Sequence, residues 1–211
     1  MAAKPECDRC LKILILAIPM VLSTACHPWL ADPRLTTNST LINGNGKGTL
    51  KQVNKIMSAE FMRRAIALAL DNVRNGRGGP FAALVVKDGR VVAEGANRVT
   101  TTNDPTAHSE VVAIREACRK LGEFQLSGCD LYTTCEPCPM CLGAIYWARP
   151  AHVFYACLAA DAAAAGFDDA FIYEELKRPL DARRIPMEQL LRDESLEIFS
   201  LWKRQENKTP Y

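Results

Sequence analysis

Three cysteines at three-residue intervals, Cys135, Cys138 and Cys141 in the run CEPCPMC, constrain this 211-residue chain more than any other feature. Two thiolates separated by two residues suit a structural zinc, a catalytic zinc, an iron–sulfur cluster or a redox disulfide, so the spacing alone leaves the chemistry open. The surrounding residues narrow it. Cys138 and Cys141 lie three apart and share one face of a helix expected to begin near Pro137. Cys135 precedes Glu136-Pro137, is held extended by the proline, and is expected to point away from that face.

The chain around the motif alternates between helical and strand-like runs. From Ser58, a plausible N-cap, AEFMRRAIALALDNVRNG places Phe61, Met62, Ala65, Leu68, Ala69 and Val73 on one face of a packing helix closed by Gly76. GGPFAALVV and RVVAEGAN are β-rich, and the Asp88-Gly89 pair between them suits a tight hairpin turn. TTNDP reads as a loop, followed by a helix from about Ala107 to Leu121 with Val111, Ile114, Cys118 and Leu121 facing inward. Strand CDLYTT, helix CPMCLGAIYWA and strand HVFYA come next, then more helix. Such alternation implies an α/β domain with helices on both faces of a sheet.

Of the three histidines, His27 falls in a polar stretch and His152 in an apolar strand, where it reads as a core or edge residue. His108 differs, because TAHSE sets it two residues before Glu110 in the first turn of a helix. Unpaired backbone N–H groups and the helix dipole favour anions there. A zinc held by His108, Cys138 and Cys141 has three protein ligands and an open fourth position, the mark of a catalytic site. The open position admits water, whose pKa zinc lowers to about 7, and Glu110 is placed to relay protons. A structural zinc knuckle built on all three cysteines is the competing reading, and it leaves His108-x-Glu110 as coincidence. His-x-Glu followed by Pro-Cys-x-x-Cys is the signature of zinc nucleobase deaminases.

NDPTAHSEVVAIREAC and YTTCEPCPMCLGAIYWARP resemble the cytidine-deaminase-like superfamily and, within it, the bacterial guanine deaminases, as do GGPFAALVVKDG and DAAAAGFDDAFIY. The resemblance extends over about residues 57–211. It implies a three-layer α/β/α fold around a central mixed sheet of about five strands, one zinc ion per subunit, and a homodimer with exchanged C-terminal segments. It also implies the reaction: zinc-bound hydroxide attacks C2 of guanine, giving xanthine and ammonia, with Glu110 as proton shuttle. Carried over one at a time, Asn97 resembles the asparagine that hydrogen-bonds the base and Phe81 the aromatic packed near the purine. Asp169 resembles the acid that reads the guanine amine, ahead of Asp168. Trp147 and Tyr211 resemble residues that cover the pocket, Trp147 from a neighbouring subunit. Ser109 departs from the family pattern, where alanine is more familiar.

Residues 1–56 stand apart. Lys4, Arg9 and Lys12 precede ILILAIPMVL and STAC in the order of a secretory signal, and Cys26 imitates a lipid-attachment site. The apolar run is shorter than the roughly 20 residues of a membrane span. Residues 27–54 read as disordered linker, and Cys7 and Cys10 as incidental. The expected organisation is thus an extension over residues 1–56, dispensable or outside a native start at Met57, and a deaminase domain over residues 57–211. Thiol ligands with free Cys118, Cys129 and Cys157 suit the cytoplasm, against an exported or lipid-anchored alternative. Formal charge is +2, but residues 57–211 carry nineteen Lys/Arg against twenty-one Asp/Glu. That balance argues against a nucleic-acid partner and against the nearest alternative within the fold, tRNA adenosine deamination. Guanosine, cytosine or cytidine remain open as substrates. A zinc-braced binding module without turnover is the reading from another class.

Overall fold

The computed structural model describes residues 46–211. The signal-like residues 1–26, the Cys7/Cys10 pair, His27 and most of the expected linker lie outside the described residues. Helix α1 (Gly46–Arg74) begins well ahead of Ser58, so the end of the expected linker is helical. The cause is plain in the sequence: from Thr49 to Asn75 there is neither proline nor glycine. Once the packed turns form, the helix propagates backward at little cost. Ser58 therefore caps nothing, and its hydroxyl instead accepts a hydrogen bond from the Tyr132 hydroxyl at 3.2 Å.

Strands β1 (Ala82–Lys87), β2 (Arg90–Ala96), β3 (Cys129–Cys135) and β4 (His152–Cys157) form one sheet in the order β2-β1-β3-β4. β1 runs antiparallel to both β2 and β3, and β3 is parallel to β4, so the sheet is mixed. The β1–β2 turn is the expected tight one, with Asp88 at φ 50° and Gly89 at φ 71° and Lys87 paired to Arg90. Among the described residues the sheet has four strands where about five were expected. Residues 186–191 are neither helical nor paired, and β4 ends the sheet with its outer edge open.

The strand residues alternate between two cores. Ala83, Val85, Cys129 and Leu131 pack with Ala113 and Ala117 of α3 (Ser109–Leu121) and with Ile145 and Ala148 of α4 (Pro139–Ala148). On the opposite face Leu84, Val86 and Tyr132 pack against Ala65 of α1, flanked by Phe61, Met62 and Leu68. Helices on both faces complete the α/β/α layering. Two face assignments shift. Val73 is exposed and Asn72 is buried in its place, while α3 turns Ala113 and Ala117 fully inward and leaves Ile114 and Cys118 at the margin. Gly95 of β2 explains the second shift: a Cβ there would sit 2.2 Å from the Ser109 carbonyl oxygen and 2.6 Å from the Ala113 nitrogen. Only small residues fit where helix and strand approach this closely.

A short helix α2 (Val99–Thr102) follows β2. Beyond β4 come α5 (Ala159–Ala164), α6 (Ala170–Lys177), a 3₁₀ turn (Leu180–Ala182) and α7 (Arg192–Arg204). No residue after Ala148 is fully buried. Among the described residues, no helix is long and apolar enough to cross a membrane.

Candidate metal centre and catalytic pocket

Two helix starts converge beside the C-terminal end of β3. His108 is the N-cap of α3, and Cys138 is the N-cap of α4, with Pro139 as the first helical residue. Cys141, one turn into α4, is fully buried and donates its backbone N–H to the Cys138 sulfur at 3.5 Å. The His108 Nδ1 atom lies 3.5 Å from both Cys138 Sγ and Cys141 Sγ. All three donor atoms fall within 4.8 Å of one another. Zinc bonds of about 2.3 Å to sulfur and about 2.0 Å to nitrogen, set at a tetrahedral angle, separate S from N by about 3.5 Å. The cluster therefore fits zinc in donor type and in spacing.

Proton affinities in the cluster follow its hydrogen bonds. The His108 imidazole is pushed up, first by its hydrogen bond to Cys138. Cys138 falls to about 4, through the Cys141 thiol that bonds to it and then through His108. Cys141 is pushed up as the partner that keeps its proton for Cys138, with burial adding to the effect. Cys135 takes no part, as expected: its thiol reaches the Leu158 carbonyl at 3.5 Å, and burial raises it to about 11.

Glu110 sits two residues into α3 and is only 6% exposed. Its Oε2 accepts the Ser109 hydroxyl at 2.8 Å and its Oε1 the Thr133 hydroxyl at 3.1 Å, while the Cys141 sulfur lies 3.5 Å from Oε2. In front of the cluster lies a cavity of about 360 Å³ whose lining includes His108, Glu110, Cys138, Phe81, Asn97 and Asp169.

The remaining walls come from separate elements. Phe81 meets Phe167 edge to face with centroids 5.0 Å apart, giving an aromatic side to the cavity. Asn97 is buried, and its Oδ1 accepts the backbone N–H groups of Gly79 and Val99, each at 3.3 Å. With its oxygen so engaged, the side chain offers its NH₂ as a donor. Asp168 and Asp169 both line the cavity, and Asp168 also accepts the Ala170 N–H at 2.9 Å at the start of α6. Burial raises Asp169 above the ordinary carboxylate range, and the Cys138 thiolate adds to the effect.

Trp147 and Tyr211 lie elsewhere. They pack together with ring centroids 5.9 Å apart and line a larger cavity, about 600 Å³, with Val111, Ile114 and Phe124. Within one copy of the chain neither lines the cavity in front of the cluster. His152 is exposed, with its Nδ1 3.0 Å from an Asp130 carboxylate oxygen, and is an edge residue. Sequence reasoning missed Phe167, Glu136 and Thr133. Phe167 stands inside the quoted GFDD and Glu136 inside CEPC, so position was the available signal.

The profile of the cytidine and deoxycytidylate deaminase zinc-binding region matches residues 56–157. Guanine deaminase of Bacillus subtilis is 58% identical over 151 residues, which are 72% of this chain and 97% of that protein. The X-ray structure of guanine deaminase from Bacillus subtilis aligns over 72% of this chain and 98% of that one, with 57% identity and a TM-score of 0.71. A structure of guanine deaminase from Nitrosomonas europaea aligns at 32% identity over 67% of this chain and 82% of that one, with a TM-score of 0.50. A tRNA-specific adenosine deaminase of Agrobacterium fabrum is 50% identical, but over 76 residues only, 36% of this chain and half of that protein. Matched over nearly the whole length of a relative at this identity, and carrying the zinc-binding motif, the chain belongs to the guanine deaminase family of the zinc-dependent, cytidine-deaminase-like enzymes.

Proposed function

We propose that this protein hydrolyses guanine to xanthine and ammonia in purine catabolism or salvage. The observation that carries the reading is the buried Glu110 carboxylate beside a His108, Cys138, Cys141 cluster at the wall of a cavity with an aromatic side. It stands on a chain 58% identical to a guanine deaminase. Zinc in this cluster, one ion per chain, supplies Lewis acidity that makes water nucleophilic near neutral pH. Every other part of the reaction falls to side chains.

A flat purine lies against Phe81 and Phe167, accepts a hydrogen bond from the Asn97 NH₂, and presents its amine to Asp169. Glu110 takes a proton from the attacking water and delivers it to a ring nitrogen. It then moves the remaining proton of the hydroxyl added at the ring carbon to the exocyclic nitrogen, so that the C–N bond breaks with ammonia leaving as the carbonyl forms. Guanine and water thereby balance xanthine and ammonia.

The domain responsible is residues 57–211, with residues 1–56 an extension outside the catalytic unit. Among the described residues no lysine or arginine lines the cavity, which counts against tRNA as the substrate. The six cysteines among the described residues are all free, which suits a reducing, cytoplasmic setting. The working form is a homodimer with exchanged C-terminal segments. Ile185, Met187, Leu190, Leu191, Ile198 and Phe199 are all more than half exposed, and the β4 edge is open. Exposed apolar residues in this number, together with an unpaired strand edge, call for a second copy. In that arrangement Trp147 and Tyr211 close the neighbouring pocket.

The test is a spectrophotometric assay of zinc-loaded protein with guanine, alongside guanosine, adenine, cytosine and cytidine. Xanthine formed from guanine alone is the expected result. Deamination of another substrate in place of guanine overturns the pocket assignment, and no turnover with zinc bound overturns the reading.

A further inference from the structure

β3 buries a hydroxyl on the face that its apolar residues turn toward α3 and α4. Along its buried face the order is Cys129, Leu131, Thr133, and the first two pack in the apolar core with α3 and α4. Thr133 is 1% exposed, so its hydroxyl has been taken from water. A hydroxyl buried without a partner is costly, and valine would fill the same space without that cost. The partner is Glu110, whose Oε1 accepts the Thr133 hydroxyl at 3.1 Å. Its other oxygen is held by Ser109 at 2.8 Å.

We infer that Thr133 is a positioning residue for the deamination step, fixing the plane of the Glu110 carboxylate from the sheet. The inference rests on the function proposed above. Ser109 adjoins Glu110 in the same helical turn and moves with it. Thr133 belongs to a different element, seated centrally in the sheet between Ala83 of β1 and Tyr155 of β4. It therefore ties the carboxylate to a frame that the α3 terminus cannot carry along. A glutamate has three rotatable side-chain bonds, and a carboxylate that must reach water, ring nitrogen and amine in turn gains from having two of its lone-pair directions already assigned. Both hydroxyls donate, so the brace occupies one acceptor direction on each carboxylate oxygen.

The experiment compares full-length wild type, Thr133→Val, Thr133→Ser and Glu110→Gln for kcat and KM with guanine, bound zinc and thermal midpoint. Thr133→Val is expected to retain zinc and KM within about twofold and to lose at least about tenfold in kcat, the scale of a hydrogen bond to a charged group. Thr133→Ser is expected to recover kcat to within about threefold of wild type. If Thr133→Val disturbs folding or zinc content, Thr133→Ala against Thr133→Ser makes the same comparison, because that pair differs only in the hydroxyl. The inference is overturned if the hydroxyl-free variant keeps kcat within twofold, if serine fails to rescue, or if the loss appears in KM. A Glu110→Gln protein that still turns over guanine would instead sink the role given to Glu110 itself.

Discussion

Glu110 and the three cluster residues fail in different ways when replaced, and the geometry separates the two kinds of failure. Glu110 is not among the grouped donors, so Glu110→Gln should bind zinc at wild-type stoichiometry while kcat drops by roughly 10²–10⁴, the contribution of general acid–base catalysis. Metal analysis beside a guanine assay checks both halves. His108→Ala and Cys141→Ser remove donors outright; they should lower bound zinc and activity together, as should a chelator, with added zinc restoring the chelated wild type but not the variants. The donors were legible in the sequence because zinc accepts few residue types at few spacings. Thr133 was not, because threonine in a strand reads as ordinary β propensity until its hydroxyl is seen against the carboxylate.

At the scale of elements, the site depends on how closely α3 lies on β2. A methyl group at Gly95 would meet the Ser109 carbonyl and the Ala113 nitrogen, both backbone atoms that cannot rotate aside. Gly95→Ala should therefore push away the very turn that carries His108 and Glu110. The expected outcome is a loss of at least about 1–3 kcal/mol of stability, as for an overpacked core, with weakened zinc retention. Thermal denaturation and competition with a chelator measure the two effects, and a variant as stable as wild type would show that α3 has room to retreat. Strand and helix order could be read from alternation, and the Asp88-Gly89 hairpin from its turn residues. The start of α1 could not, because a polar stretch without proline is helical or not according to what nucleates it. Nor could the inward turn of Ala113 and Ala117: the larger Ile114 and Cys118 looked like the core side until Gly95 was seen to demand small neighbours.

The whole molecule is where one copy of the chain falls short of what its sequence implies. Trp147 and Tyr211 are 64% and 73% exposed, packed on one another away from the metal cluster, while the segment leading to Tyr211 bares its apolar residues. If exchange between copies brings Tyr211 over a neighbour's cavity, sedimentation should give twice the chain mass. Tyr211→Ala should then lower kcat/KM about tenfold, the order of one lost aromatic contact. A mixed dimer decides whose tyrosine it is. One subunit carries Glu110→Gln and the other Tyr211→Ala, and differently tagged chains allow the hybrid to be purified. With exchange, the subunit that keeps Glu110 receives an intact Tyr211 from its partner. The hybrid should reach about half of wild-type activity although both parents are impaired, since one of its two sites is whole. If Tyr211 serves its own subunit, every site in the hybrid lacks one of the two groups, and activity stays no higher than that of the Tyr211→Ala parent.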